Sequence, residues 1–291
     1  MRYTRIKTIV ALSLLALPAF AAKNGLDTAR IEQITGLKGK WNEKEGVFKV
    51  EMPRSDLAVT AAGVKMTPPL GLTAWAAFTS AGGHTVVMGD MVLTEDQVNP
   101  AMSAALDNGL EVTALHNHFF WESPRVMFMH IGGMGDEAKL ATGVAKVFEA
   151  MKQKFDVPSA NIDPANSTLD PKKIDAVLGR SGQTNKGVYK ITIGREVKMA
   201  GHTMGNTMGV NTWAAFAGSD EQAIVDGDFA MLESEMQSVL KALRHAGINI
   251  VAIHQHMTGE SPRMMFLHYW GVGRTEDLAR GLRNALGQTR S

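Results

Sequence analysis

The chain has 291 residues, 30 basic and 29 acidic side chains, a net charge of +1 and no cysteine. That near-neutral balance gives no electrostatic basis for binding nucleic acid or an anionic membrane surface. The lack of cysteine excludes a disulfide framework, and a hydrophobic fraction of 45% is ample for a packed core.

Residues 1–21 read as a secretory signal peptide. Arg2, Arg5 and Lys7 form a basic start, Ile9 to Leu17 an apolar run, and Ala19-Phe20-Ala21 a cleavage site. The apolar run is too short to span a bilayer. Its removal leaves 27 basic against 29 acidic residues. With no cysteine to carry a lipid, the expected product is periplasmic or secreted, without a membrane anchor.

Residues 22–151 and 169–291 read as two homologous domains, with 152–168, containing Pro158 and Pro164, as the linker. In the first copy, Asp27 opens an amphipathic helix that Gly36 closes. Phe48 to Met52, Trp75 to Phe78 and Thr85 to Leu93 alternate as strands. Thr94-Glu95-Asp96 starts a second helix that stops at Gly109. Two more strands follow, about Leu110–His118 and Arg125–Ile131, then a helix from about Asp136 to Met151. Mixed helices and hairpins predict α+β domains, each an antiparallel sheet with flanking helices. Because His-x-His-x3-Glu resembles the first motif of cupins, a pair of cupin-like β-barrels is the alternative.

The second copy repeats these landmarks. Trp75-Ala76-Ala77-Phe78 returns as Trp213-Ala214-Ala215-Phe216, and Gly89-Asp90 as Gly227-Asp228, both 138 positions on. Upstream the offset drifts, to 141 at Gly46/Gly187 and 143 at Leu26/Leu169. The most specific stretch is H-x-H-x3-E-S-P-R-x-M-F-x-H. It places His116, His118, Glu122 and His130 in the same frame as His254, His256, Glu260 and His268, and takes six of the nine histidines.

Strand parity puts His116 and His118 on one face. A hairpin centred near Glu122 sets His116 opposite Phe128 and His130 opposite Ala114, so three imidazoles converge. Three His and one Glu make a shell for a divalent transition metal, zinc first, with copper, iron or nickel as alternatives. A half-buried, hydrogen-bonded histidine pair is the plainer alternative, and repetition of the frame favours metal. The sequence is compatible with two separate sites and with two that meet.

Other residues carry two readings each. Arg125 and Arg263 either bind a small anionic or cell-envelope ligand, or orient the Glu, or form surface salt bridges. Asp90 and Asp228 read as turn aspartates after glycine, with a hydrogen bond to a ligand imidazole as the alternative. Trp75 and Trp213 read as core. Met127, Met129, Met264 and Met265 flank the histidines but have the wrong parity at Met127 and Met129 for a copper(I) site, so core packing is expected. Phe119-Phe120-Trp121 is expected to bury Glu122, leaving the second copy, with Met257-Thr258-Gly259, more open to a substrate.

The pattern W-A-A-F … G-D … A-L-H-N-H … S-P-R … F-x-H-x-G-G resembles the LppY/LpqO family of bacterial envelope proteins, over both copies. The family is a domain of unknown function, so the resemblance implies an envelope location and little chemistry. Its mycobacterial members are lipoproteins, a property the cysteine-free chain does not share. Three functions fit the residues: a metal carrier, buffer or sensor; a metal-dependent hydrolase or other metalloenzyme with Glu122 or Glu260 as general base; or a metal-free binding protein for an envelope ligand.

Overall fold

A computed structural model describes residues 24–289; the signal-peptide segment lies outside the described residues. The first repeat opens with α1 (Thr28–Thr35), β1 (Gly39–Asn42), β2 (Val47–Pro53), β3 (Thr60–Ala61), β4 (Val64–Lys65), β5 (Thr73–Ala81) and β6 (His84–Thr94). It continues through α2 (Glu95–Asp107), β7 (Glu111–His116), β8 (Glu122–Ser123), β9 (Val126–Gly135) and α3 (Glu137–Ala150). The second repeat opens with α4 (Pro171–Leu178), β10 (Gln183–Asn185), β11 (Val188–Gly194), β12 (Val197–Met199), β13 (His202–Met204) and β14 (Asn211–Gly218). It ends with β15 (Ala223–Leu232), α5 (Met236–His245), β16 (Asn249–His254), β17 (Glu260–Ser261), β18 (Met264–Gly273) and α6 (Thr275–Leu286).

Helix ends follow from side-chain chemistry. Asp27, Asp136 and Asp170 each accept a hydrogen bond from the first-turn amide of α1, α3 and α4, at 3.0, 2.9 and 3.0 Å. Gly36 and Gly179 close α1 and α4 in the left-handed conformation, with φ of 70° and 66°.

The strands of both repeats form one sheet of twelve, ordered β1-β2-β5-β6-β9-β7-β16-β18-β15-β14-β11-β10. It is open, with β1 and β10 at its edges, so the β-barrel alternative does not hold and the α+β expectation does. Read from the centre outward, the two halves list equivalent strands. The seam is the antiparallel contact of β7 with β16, where Leu115 faces its own counterpart Ile253. Equivalent residues facing each other across antiparallel strands describe a local twofold axis.

Reciprocal bonds hold the seam. Asn99 on α2 donates to the carbonyl of Ile250 and accepts from its amide, at 3.1 and 2.7 Å. Gln237 on α5 treats Val112 the same way, at 2.9 and 3.0 Å. On the helices Asp107 meets its counterpart His245 at 2.9 Å.

The helices cover one face of the sheet, packed in the order α1-α3-α2-α5-α6-α4. Alternate residues on the central strands, Leu115, Met129 and Ile131 in the first copy and Ile253, Leu267 and Tyr269 in the second, enter a core that runs unbroken through both repeats. The intervening residues face the other way, partly covered by the small sheets β4-β3-β8 and β13-β12-β17. Among the described residues no helix is long and apolar enough to cross a membrane.

Two sequence readings change here. Asp90 and Asp228 are not in turns but mid-strand, in β6 and β15. Their preceding glycines serve close packing: a Cβ on Gly227 would stand 2.2 Å from the Tyr269 hydroxyl and 2.3 Å from the Trp213 carbonyl oxygen. Trp75 and Trp213 are half-buried rather than core. They sit opposite Asp90 and Asp228 on neighbouring strands, beneath the ammonium groups of Lys49 and Lys190 at 4.6 and 4.0 Å. Gly227→Ala is therefore expected to destabilise the fold by about 1–3 kcal/mol through overpacking against Tyr269, measured by urea denaturation.

Candidate metal centre

The site is built on the sheet face away from the helices. In the first repeat β7 pairs with β9 so that Ala114 faces His130 and His116 faces Phe128, the register expected from the hairpin. The second repeat matches it, with Ala252 facing His268 and His254 facing Phe266. On the other side of the same strands, β6 sets Asp90 opposite His130 and β15 sets Asp228 opposite His268. Directly opposed residues share a face, so each carboxylate joins its histidines.

In both copies the central imidazole stands close to the other two, though His268 and the first-copy residues lie outside the one group of donor atoms within 4.8 Å among the described residues. His116 lies 5.2 Å from His118 and 5.1 Å from His130, centre to centre. His254 lies 5.1 Å from His256 and 4.7 Å from His268. Phe128 and Phe266 hold the outer rings by stacking on His118 and His256 at 3.4 and 3.6 Å.

The second copy is the tighter. Donor atoms of Asp228, His254 and His256 all lie within 4.8 Å of one another, the one such group among the described residues. His256 Nε2 is 3.1 Å from His254 Nε2 and 3.2 Å from Asp228 Oδ2. Two ligands ~2.0–2.1 Å from a tetrahedral ion stand ~3.3–3.4 Å apart, so these spacings suit one cation. His256 Nδ1 is 3.0 Å from the Gly209 carbonyl oxygen and His268 Nδ1 3.4 Å from that of Gly227. Donation to those carbonyls leaves each Nε2 bare as a lone-pair donor. Asp228 Oδ1, Asp90 Oδ1 and His254 Nδ1 are buried without a hydrogen-bond partner, a state that folded proteins seldom leave uncompensated.

Burial pushes the His118 and His254 imidazoles below their usual range, against the pull of Asp90 and Asp228 and with the neighbouring imidazoles. Lowered values keep these rings neutral at pH 7, as metal ligation requires. Burial raises the Asp90 carboxyl, and His130, His118 and His116 oppose that rise.

The first copy differs because Phe119 replaces Met257. A Cβ on Gly209 would meet His256 Nδ1 at 3.6 Å, whereas one on the equivalent Gly71 would meet the Phe119 ring at 3.5 Å. Phe119 thus occupies the place beside the carbonyl that anchors His256 in the second copy. Phe120 and Trp121 do not bury Glu122; they are 72% and 82% exposed. The Glu122 side chain is nonetheless buried, at 4% exposure, 3.8 Å from the Arg125 guanidinium.

The two glutamates of the repeated frame stand outside the close group. Glu260 accepts the amide of Met264 at 3.0 Å and so closes its own turn. Arg125 and Arg263 lie exposed at the rim, 4.0 and 3.5 Å from Glu95 and Glu233 respectively. A cavity of about 230 Å³ beside the second site is lined by Gln255, Met257, Thr258, Gly259, Glu260 and Arg263. Met129, Met264 and Met265 are buried packing residues. Asp90 and Asp228 join the site although Gly-Asp reads as a turn in the sequence. The signal lay in strand parity, since a strand through Gly89-Asp90 puts the carboxylate on a defined face.

The site and fold define a duplicated α+β protein with a His/Asp cluster on each half of one sheet. The chain belongs to the family described as Domain of Unknown Function (DUF1259), whose profile matches residues 29–150 and again 172–288. No curated protein matches. Among solved structures, similarity is found to a trimeric bacterial microcompartment shell protein, PduB, at 12% identity over 86% of this chain and 89% of that one. Its TM-score of 0.21 is too low for the likeness to carry an argument.

Glu260→Ala is expected to lower stability by about 1–3 kcal/mol by stranding the Met264 amide, read from urea midpoints. An unchanged midpoint would place the carboxylate elsewhere in solution.

Proposed function

We propose that this is an exported envelope protein that binds a divalent transition metal, zinc first, on its second repeat and more weakly on its first. The ligands are Asp228, His254, His256 and His268, and Asp90, His116, His118 and His130 in the other copy. The observation that carries the reading is the close approach of Asp228, His254 and His256 donor atoms, all within 4.8 Å of one another, in a cluster where Asp228 Oδ1 and His254 Nδ1 are buried without a partner. The signal-like start at residues 1–21 and the resemblance to LppY/LpqO envelope proteins support the location.

A carrier, buffer or sensor fits better than an enzyme. A metalloenzyme of the kind suggested by the frame needs Glu122 or Glu260 free to take a proton from bound water. Glu260 is instead committed to the Met264 amide, and Glu122 is buried beside Arg125. Exposed His256 leaves one side of the second site open to solvent, which suits exchange of metal with a partner or small anionic ligand.

Elemental analysis of protein purified without affinity-tag metals tests this. Zinc is expected to co-purify. Asp228→Asn or His254→Ala should weaken its retention about ten- to a hundredfold or more, while Glu260→Gln leaves it near wild type. Equal metal content in all these variants, or none in the parent, would refute the reading.

A further inference from the structure

The repeat supplies an internal comparison away from the histidines. Beneath α4 and α6, at the end of the sheet, the second repeat has a cavity of about 890 Å³. Leu178, Ile193 and Leu286 make one side of its wall apolar, and a small gap of about 10 Å³ among Ile191, Phe229 and Leu282 adjoins that side. Its rim carries Arg180, Arg195 and Arg283 against one acid, Glu196.

The first repeat fills the equivalent space. By the same offsets, Leu37 stands where Arg180 does, Ala145 where Arg283 does, Phe148 where Leu286 does and Met151 where Thr289 does. Phe148 and Met151 are 2% and 1% exposed. The chain after α3 then straps across: Gln97 donates to the carbonyls of Met151 and Gln153 at 2.8 and 2.9 Å, and Asp96 accepts the Phe155 amide at 3.0 Å. In the second repeat the side chains shrink and two arginines replace apolar residues.

The arginines divide by role. Arg195, like its counterpart Arg54, is structural: it bonds the Ala230 carbonyl and pairs with Glu235 at 2.8 Å. Arg283 gives one N–H to the Val177 carbonyl at 2.9 Å, leaving the other donors of its fork. Arg180 makes no hydrogen bond or ion pair among the described residues. An apolar side wall of Leu178, Ile193 and Leu286 beside two guanidinium groups with spare donors is complementary to a ligand with one apolar body and one anionic head. We propose that this cavity binds an amphipathic carboxylate of the fatty-acid class, its chain along Leu178, Ile193 and Leu286 and its head between Arg180 and Arg283.

Calorimetric titration of the purified protein with dodecanoate, dodecan-1-ol and acetate tests the assignment. Dodecanoate should bind at one equivalent and well above the other two, since each of those lacks half of the match. Arg180→Leu with Arg283→Ala, which restores the first-repeat residues, should weaken dodecanoate about ten- to a hundredfold. Leu286→Phe with Thr289→Met should abolish binding by filling the space, with a melting temperature no lower than the parent showing that the fold survives. Failure of dodecanoate to bind, equal binding of the alcohol, or binding that survives both double variants would overturn the proposal.

Discussion

The antiparallel contact of β7 with β16 is the constraint on which the rest of the molecule depends. An open six-stranded half-sheet ending in β7 would expose a row of unpaired amides and carbonyls along that edge strand. The two edges meet at Leu115 and Ile253, and Gln237 and Asn99 bond the backbone of Val112 and Ile250 beside that contact. The contact also makes the helical layer continuous, so that Leu115 and Ile253 share one core. The clusters follow from this. Each lies on the three strands nearest the seam, β6, β9 and β7 or β16, β18 and β15, and the two therefore sit side by side on one face.

A polar cluster at the centre of a sheet carries an energetic cost. Asp90 and Asp228 are mid-strand carboxylates, and an unpaired buried oxygen is worth about 1–3 kcal/mol of lost stability. At Asp90 the neighbouring imidazoles of His130, His118 and His116 oppose the effect of burial without removing it. The glycines before each aspartate let strands and side chains close up behind, while strand parity holds the carboxylates on the face of the histidines. On the proposed reading a cation supplies the compensation that the fold withholds.

Much of this was legible in the chain. The two repeats, the helices opened by Asp27 and Thr94, and the hairpin register that opposes His116 to Phe128 all follow from local alternation and capping. The twelve-stranded union did not, because pairing of β7 with β16 is decided by edges 138 residues apart with no signal within either. Asp90 was misread for a different reason: Gly-Asp is a common turn dipeptide, and only the side chains of Tyr269, Met91 and Ile131 pressing on Gly227 and Gly89 reveal that these glycines belong inside strands. Glu122 and Glu260 drew attention by their spacing to the histidines, yet spacing cannot say whether a carboxylate faces outward to a ligand or back to its own turn.

The self-facing contact at Leu115 and Ile253 is the kind that two identical subunits make in a homodimer. Here one polypeptide contains both, so association is intramolecular and independent of concentration. A true homodimer must write every substitution twice, once on each side of its axis. The fused chain is released from that rule. Asp107 can face His245 as acid against base, Phe119 can crowd one cluster while Met257 relaxes the other, and a filled pocket in one half can stand open in its twin. Symmetry provides the frame, and the covalent link lets the halves specialise within it.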